Sequence, residues 1–211
     1  RREDHMLDLA PVAYEPDTNQ LDWLQVLEVI TGGDTDFAQT LQDIAGYALS
    51  GASSKRILPW LYGGKGTGKS TFAELLCTVL GGMAETIDTK HLSSDGARER
   101  LGAAIWGKRV ALVSEAGNAR LDAELLKTLS GSDRYSVRKL YAESFTASPS
   151  HVLFMVANDA PNVAAYDDAL KDRVWALPFN YPLKASPVPL VGGRDIEAER
   201  RDSHSALVRG F

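Results

Sequence analysis

Apolar positions along this chain follow two different periods. Between 19 and 51 they recur at helical spacing. Leu21, Leu24, Leu27, Val29 and Ile30 form one stripe. Asn19 is placed to cap it, Asp22 falls in its first turn, and Gly32–Gly33 stops it. Phe37, Leu41, Ile44, Ala45 and Ala48 form a second stripe over about 35–49, closed by Gly51. Beyond this, short apolar runs alternate with helical stripes. Residues 57–62 read as a buried strand. Phe72, Leu75, Leu76, Val79 and Leu80 then mark a helix that Gly81–Gly82 ends. The same reading predicts a short strand at 85–88, a helix over 96–105 carrying Arg98 and Arg100, a buried strand over 109–115 and a helix over 121–129. Residues 131–150 alternate and hold a basic cluster, which suggests a hairpin. Residues 151–157 form another buried strand ending at Asn158. A helix over 167–173 and a last core strand over 174–177, stopped by Pro178, complete the core.

Strands alternating with helices predict a layered α/β fold with a central, largely parallel five-stranded sheet and a small N-terminal helical unit. The chain divides into a lead-in and helical unit (1–51), a core (52–181) and a C-terminal extension or lid (182–211). Pro182, Pro187 and Pro189 make that extension's start extended, and a weak helical pattern covers 196–207.

Composition narrows the classes. A chain of 211 residues can bury a full core. Its formal net charge of −5 argues against a surface coated with nucleic-acid-binding charge, while leaving room for a local basic patch. The single cysteine, Cys77, excludes an internal disulfide and reads as a buried thiol on the helix after 71. Trp23, Trp60, Trp106 and Trp175 read as core anchors. No apolar run approaches a membrane span and no signal peptide is visible, so the expected location is cytoplasmic, without a membrane partner. A chain starting at Arg1 is expected to be cut from something longer.

The chemistry centres on residues 63–71, Gly63-Gly64-Lys65-Gly66-Thr67-Gly68-Lys69-Ser70-Thr71, between a strand and a helix. This is the G-x-x-x-x-G-K-[ST] pattern in its required context, and it predicts a P-loop NTPase. Glycines let successive backbone N–H groups converge on one anion, and the helix N-terminus adds its dipole. Lys69 can reach the β- and γ-phosphates of ATP, and the Ser70 hydroxyl can ligand Mg²⁺. Glu115 and Asn158 end two other strands, and in parallel sheets ligands bind at those carboxyl ends. Glu115 could polarise the attacking water or hold Mg²⁺ through a water. Asn158 could orient that water or contact the γ-phosphate.

Together these segments resemble superfamily 3 helicases, relatives of the AAA+ ATPases, in the branch found in phage and plasmid primase–helicases. The resemblance runs from Val12 to about Tyr181. It is carried by LYGGKGTGKSTF, VALVSEAG, LKTLSGSDRYSVRKLYAESF, MVANDAP and DDALKDRVWALPF. It implies an ATP-driven ring, a hexamer, moving on a single DNA strand in a central channel, with a primase region upstream in the same polypeptide. In this family Lys69 and Ser70 match the phosphate and Mg²⁺ residues, Glu115 the acid of the second nucleotide motif, and Asn158 the γ-phosphate sensor. Family members often end the core with paired arginines. Here the pair is Asp172-Arg173, making Arg173 the candidate arginine finger for a neighbouring subunit, with Lys171 able to share the role. The hairpin would project into the channel, with Arg134, Arg138, Lys139 and Tyr141 as DNA contacts.

Three other readings use the same loop: a non-helicase AAA+ switch that loads or remodels protein partners, a small-molecule kinase, and a non-catalytic assembly module. The acidic net charge favours the switch, and the basic hairpin disfavours it.

Overall fold

The computed structural model describes residues 8–52, 54–92, 98–116, 121–138, 143–162 and 167–183, without the side chains of 98–100. The two helical stripes form α1 (Leu21–Thr31) and α2 (Thr35–Ser50). Asn19 does supply a cap, accepting the Leu21 N–H at 3.0 Å, but from one residue further out than expected. The cap position itself is Gln20, whose side chain makes no cap bond. Gly32 takes the left-handed conformation (φ 65°), and the cap N–H groups return to Glu28 and Val29 carbonyls. Asp34 then accepts the Phe37 N–H at 2.9 Å and starts α2.

The core strands are β1 (Leu58–Tyr62), β2 (Ala84–Ile87), β3 (Val110–Val113), β6 (Val152–Ala157) and β7 (Val174–Pro178). A hairpin of β4 (Tyr135–Val137) and β5 (Phe145–Ala147) stands apart from them. The intervening helices are α3 (Lys69–Leu80), α4 (Arg98–Ile105), α5 (Ala123–Leu129) and the single turn α6 (Asp168–Lys171). The core strands pair in the order β2-β3-β6-β1-β7, every pair parallel. The expected five-stranded α/β layering is therefore observed.

Successive strand residues point to opposite faces. Leu58, Trp60, Ala111, Val113, Leu153 and Met155 pack with Leu101, Leu125, Leu129 and Leu170 from α4, α5 and α6. Ile57, Leu61, Leu112, Phe154 and Val156 pack with residues of α1, α2 and α3. Rings join those helices: Trp23 stacks on Phe72 at 6.2 Å, and Phe37 meets Phe179 edge-on at 5.5 Å.

Two burial expectations are corrected. Trp175 is 41% exposed, because β7 is an edge strand whose outward positions are left uncovered. Cys77 is only half-buried, although that is enough, with Glu74 and Glu85 nearby, to push its thiol up to about 11.

Strand order creates the crevice. The connection from β1 runs through α3 to β2 at one edge. The connection from its neighbour β6 runs through α6 to β7, across β1. Connections leaving adjacent strands in opposite directions open a cleft at their carboxyl ends.

Candidate functional site

The glycine loop starts where β1 ends. Gly63 donates its N–H to the Asn158 carbonyl at 3.2 Å, tying the ends of β1 and β6. It sits at φ 148°, and a Cβ there would lie 2.1 Å from the Phe179 carbonyl oxygen, after β7. Only a residue without a Cβ fits. Lys69 opens α3 and is 6% exposed. Its Nζ donates to the Gly64 carbonyl at 2.8 Å, and Thr67 Oγ1 donates to the same oxygen at 2.9 Å. Burial lowers the Lys69 pKa, the direction expected when an ammonium loses water. Lys65, Ser70 and Thr71 are exposed. A Cβ on Gly64 or Gly66 would meet nothing within 4 Å, so the loop's outer side is open. The backbone N–H groups of a glycine-rich loop, a helix N-terminus and a folded-back ammonium beside an open space suit an anion.

Glu115 lies two residues beyond β3 and is exposed. Its φ is 60°, the single positive value among the described non-glycine residues. Holding a glutamate there costs about 1–2 kcal/mol. Such strain concentrates where a side chain must be aimed. Asn158 lies directly beyond β6, also exposed. The register pairs Val113 with Met155 and Tyr62 with Ala157, so the loop, Glu115 and Asn158 share the carboxyl end of the sheet. Among the described residues no group of three or more His, Cys, Asp or Glu comes together as a metal site. Such a group is not a requirement for Mg²⁺, which uses few protein oxygens and keeps several waters.

Arg173 lies at the opposite, amino end of the strands. Arg173 precedes β7 and its carbonyl accepts the Leu58 N–H at 2.7 Å, beside the start of β1. Five residues of strand separate that end from the loop, about 17 Å at strand rise. Arg173 is 7% exposed and donates to the Lys127 carbonyl. Lys127 itself bridges Glu124 and Asp167, at 2.5 and 2.7 Å. Asp167 in turn caps α6 through the Leu170 N–H, and its bond to Lys127 holds its carboxyl below the usual range. Lys171 is exposed and pairs with Asp168 at 3.0 Å.

Arg134 and Arg138 flank β4 and are exposed, whereas Lys139 and Tyr141 lie outside the described residues. The hairpin root is anchored. A Cβ on Gly102 of α4 would lie 2.7 Å from the Ser136 carbonyl oxygen. Tyr135 meets His151 edge-on at 6.2 Å, and burial pushes its phenol up to about 12. His151, just before β6, places Nε2 3.0 Å from the Leu129 carbonyl. Burial drives its pKa down from 6.5 to about 4. The unfolded chain therefore binds a proton first, and stability should fall as pH drops from 6.5 towards 4. The expected loss by pH 4.5 is about 2.5 kcal/mol. Urea unfolding at pH 7 and pH 4.5 checks this, and His151→Gln should remove that share of the pH dependence.

Residues 61–173 match the model of a family described as of unknown function, DUF5906, over more than half of the chain. The chain belongs to DUF5906. The matched segment runs from the last turn of β1 through the loop, Glu115, the hairpin and Asn158 to Arg173, leaving out α1 and α2. This DUF5906 chain is also similar to a protein of Acanthamoeba polyphaga mimivirus named "Putative helicase L207/L206". The two are 24% identical over 151 residues, 69% of this chain and 16% of that one. Two apo structures of the NrS-1 C-terminal region share the fold at TM-scores of 0.63 and 0.64. They are 14% and 15% identical, with 94% of this chain and 45% of theirs covered. The chain thus spans a sixth of the curated relative and less than half of each solved one.

Some neighbours of the loop escaped the sequence reading. Ile30 Cγ2 lies 2.5 Å from where a Gly68 Cβ would stand, and the Tyr181 ring covers Gly32. Gly32 was visible as a helix stop and Gly68 as a loop glycine, but their partners lie more than 100 and 38 positions away. A cavity of about 340 Å³ opens between α1 and α2, lined by Leu24, Leu27, Thr31, Asp34 and Ala38 among others. None of its lining residues belongs to the glycine loop, and the site is placed at the loop on chemical grounds.

Proposed function

We propose that this chain is the ATPase module of a DNA helicase of superfamily 3, AAA+-related, from a phage or mobile-element replication protein. The observation that carries the reading is the glycine loop, tied by Gly63 to the end of β6 and sharing the carboxyl end of the sheet with Glu115 and Asn158. In this reading it is a P-loop. Residues 63–71 cradle the triphosphate of ATP, with Lys69 leaving the Gly64 carbonyl for the phosphates. Ser70 and Glu115 hold Mg²⁺, which neutralises charge on the phosphoryl oxygens when bound. Glu115 activates the attacking water, and Asn158 senses the γ-phosphate. The name of the mimivirus relative supports the helicase class.

Arg173 is too far along the sheet to serve its own loop, which supports a ring of subunits, a hexamer, with the nucleotide between neighbours. Docking of the neighbour redirects its guanidinium from the Lys127 carbonyl, and the exposed Lys171 is the second candidate for the role. Residues 1–51 and 182–211 are accessory to the 52–181 core. A primase region lies upstream in the same polypeptide, and the assembly works in the cytoplasm of the host cell. Among the described residues no helix is long and apolar enough to cross a membrane.

ATP hydrolysis measured with and without single-stranded DNA tests the reading. Hydrolysis stimulated by DNA is expected. Absence of ATP binding would overturn the enzyme, and hydrolysis indifferent to DNA would overturn the helicase. The net charge of −5 favours a second reading, an AAA+ switch acting on protein partners. Arg134→Ala with Arg138→Ala separates the two. For the helicase, single-strand affinity should fall and the salt slope of log K should flatten by about 0.7 for each phosphate no longer neutralised. For the switch, DNA behaviour stays unchanged.

A further inference from the structure

We propose that Tyr181 is the stacking platform for the nucleobase, and that the site takes purine nucleoside triphosphates. This rests on the nucleotide reading above and adds a residue to it. The chain leaving β7 runs back along the glycine loop. Phe179 donates its N–H to the Tyr62 carbonyl at 2.7 Å, and Leu183 donates to the Gly66 carbonyl at 2.8 Å. Tyr181 lies midway along this strap, which is tied to the end of β1 on one side and to the loop on the other.

The ring's attitude is also set. A Cβ built on Gly32 would lie 2.5 Å from Cε2, 2.5 Å from Cζ and 2.6 Å from Cδ1 of Tyr181. Cε2 and Cδ1 are on opposite sides of the ring, so the glycine sits under its face rather than against its edge. Gly32 caps α1 in the left-handed conformation and presents bare backbone there. With one face seated, Tyr181 remains 45% exposed. The ring lies flat against Gly32, and nearly half of the residue is open to solvent.

Aliphatic side chains line the loop beside this strap. Ile30 Cγ2 and Leu183 Cδ1 lie 2.5 and 3.9 Å from the position of a Gly68 Cβ, making a hydrocarbon wall beside the loop. A Cβ on Gly33, Gly64 or Gly66 would meet nothing within 4 Å. The loop and Lys69 attract the charged end of a nucleotide. A fixed aromatic face with aliphatic neighbours suits its flat, uncharged end. Base–aromatic stacking is sequence-tolerant, and its strength follows the π-face offered, which favours the two-ring bases.

The test uses the full chain with Mg²⁺ and measures affinity by calorimetry for ATP, GTP, CTP and inorganic tripolyphosphate. Wild type should bind ATP and GTP more tightly than CTP, and all three more tightly than tripolyphosphate. Tyr181→Ala should weaken ATP and GTP by about tenfold and leave tripolyphosphate unchanged. Tyr181→Leu keeps apolar bulk without a π-face and should behave like Tyr181→Ala, whereas Tyr181→Trp should restore binding. If Tyr181→Leu binds ATP as wild type does, or if ATP and tripolyphosphate weaken together, Tyr181 supports the loop or a neighbouring subunit and the proposal fails. If wild type binds neither ATP nor tripolyphosphate, the nucleotide reading itself fails and takes this one with it.

Discussion

Lys69→Ala should lower ATP turnover about a thousandfold, measured as phosphate release at saturating ATP and Mg²⁺. The expectation comes from where the ammonium sits. It is nearly enclosed, at the head of α3, and donates to the Gly64 carbonyl. A charge held in such a place, beside a helix N-terminus, stabilises developing phosphoryl charge far better than one in water. Removing one well-placed stabilising group from a transition state costs about 10²–10³ in rate, and charged groups in phosphoryl transfer reach the upper end. Stability should change little, because the neutral alanine leaves no buried charge and Thr67 still satisfies the Gly64 carbonyl. A variant that folds like wild type and still hydrolyses ATP within tenfold of it would remove Lys69 from the chemistry.

Gly63→Ala should destabilise the fold by about 4 kcal/mol or more, read from urea unfolding. The methyl group would stand 2.1 Å from the Phe179 carbonyl oxygen, a backbone atom that cannot swing aside. The φ of 148° adds strain for any L side chain. Relief requires parting β1 from the chain after β7, which breaks the Phe179 N–H bond to Tyr62, or from β6, which breaks the Gly63 bond to Asn158. Either movement also opens the loop, so ATP binding should vanish in whatever fraction still folds. Gly64→Ala is the control. A Cβ there meets nothing within 4 Å, and its stability should stay within about 1 kcal/mol of wild type. Equal destabilisation at the two positions would show that glycine entropy, not the Phe179 carbonyl, dominates.

Much of the fold was legible because its causes are local. Helical and strand periods place apolar side chains on one or two faces of an element whatever lies beyond it. Capping residues and left-handed glycines act within a few positions, which is why the stops at Gly32, Gly51 and Gly81 were readable. Burial was less legible. Trp175 has the composition of a core anchor, yet it stands on an edge strand, and edge position follows from the order of all five strands.

The candidate site divides the same way. The sequence by itself determined that a glycine loop joins a strand to a helix, that Lys69 and Ser70 lie at that helix's start, and that Glu115 and Asn158 end strands. Only the tertiary structure decided that β6 lies between β1 and β3, which draws Asn158 against Gly63 and brings Glu115 to the same end of the sheet. It also decided that Arg173 lies at the far end of the strands, buried against Lys127, and that Tyr181 settles on Gly32 beside the loop. Local rules follow from backbone sterics and the repeat of each element. Strand order and cross-chain contacts follow from burying both faces of one sheet at once, a condition that no single segment carries.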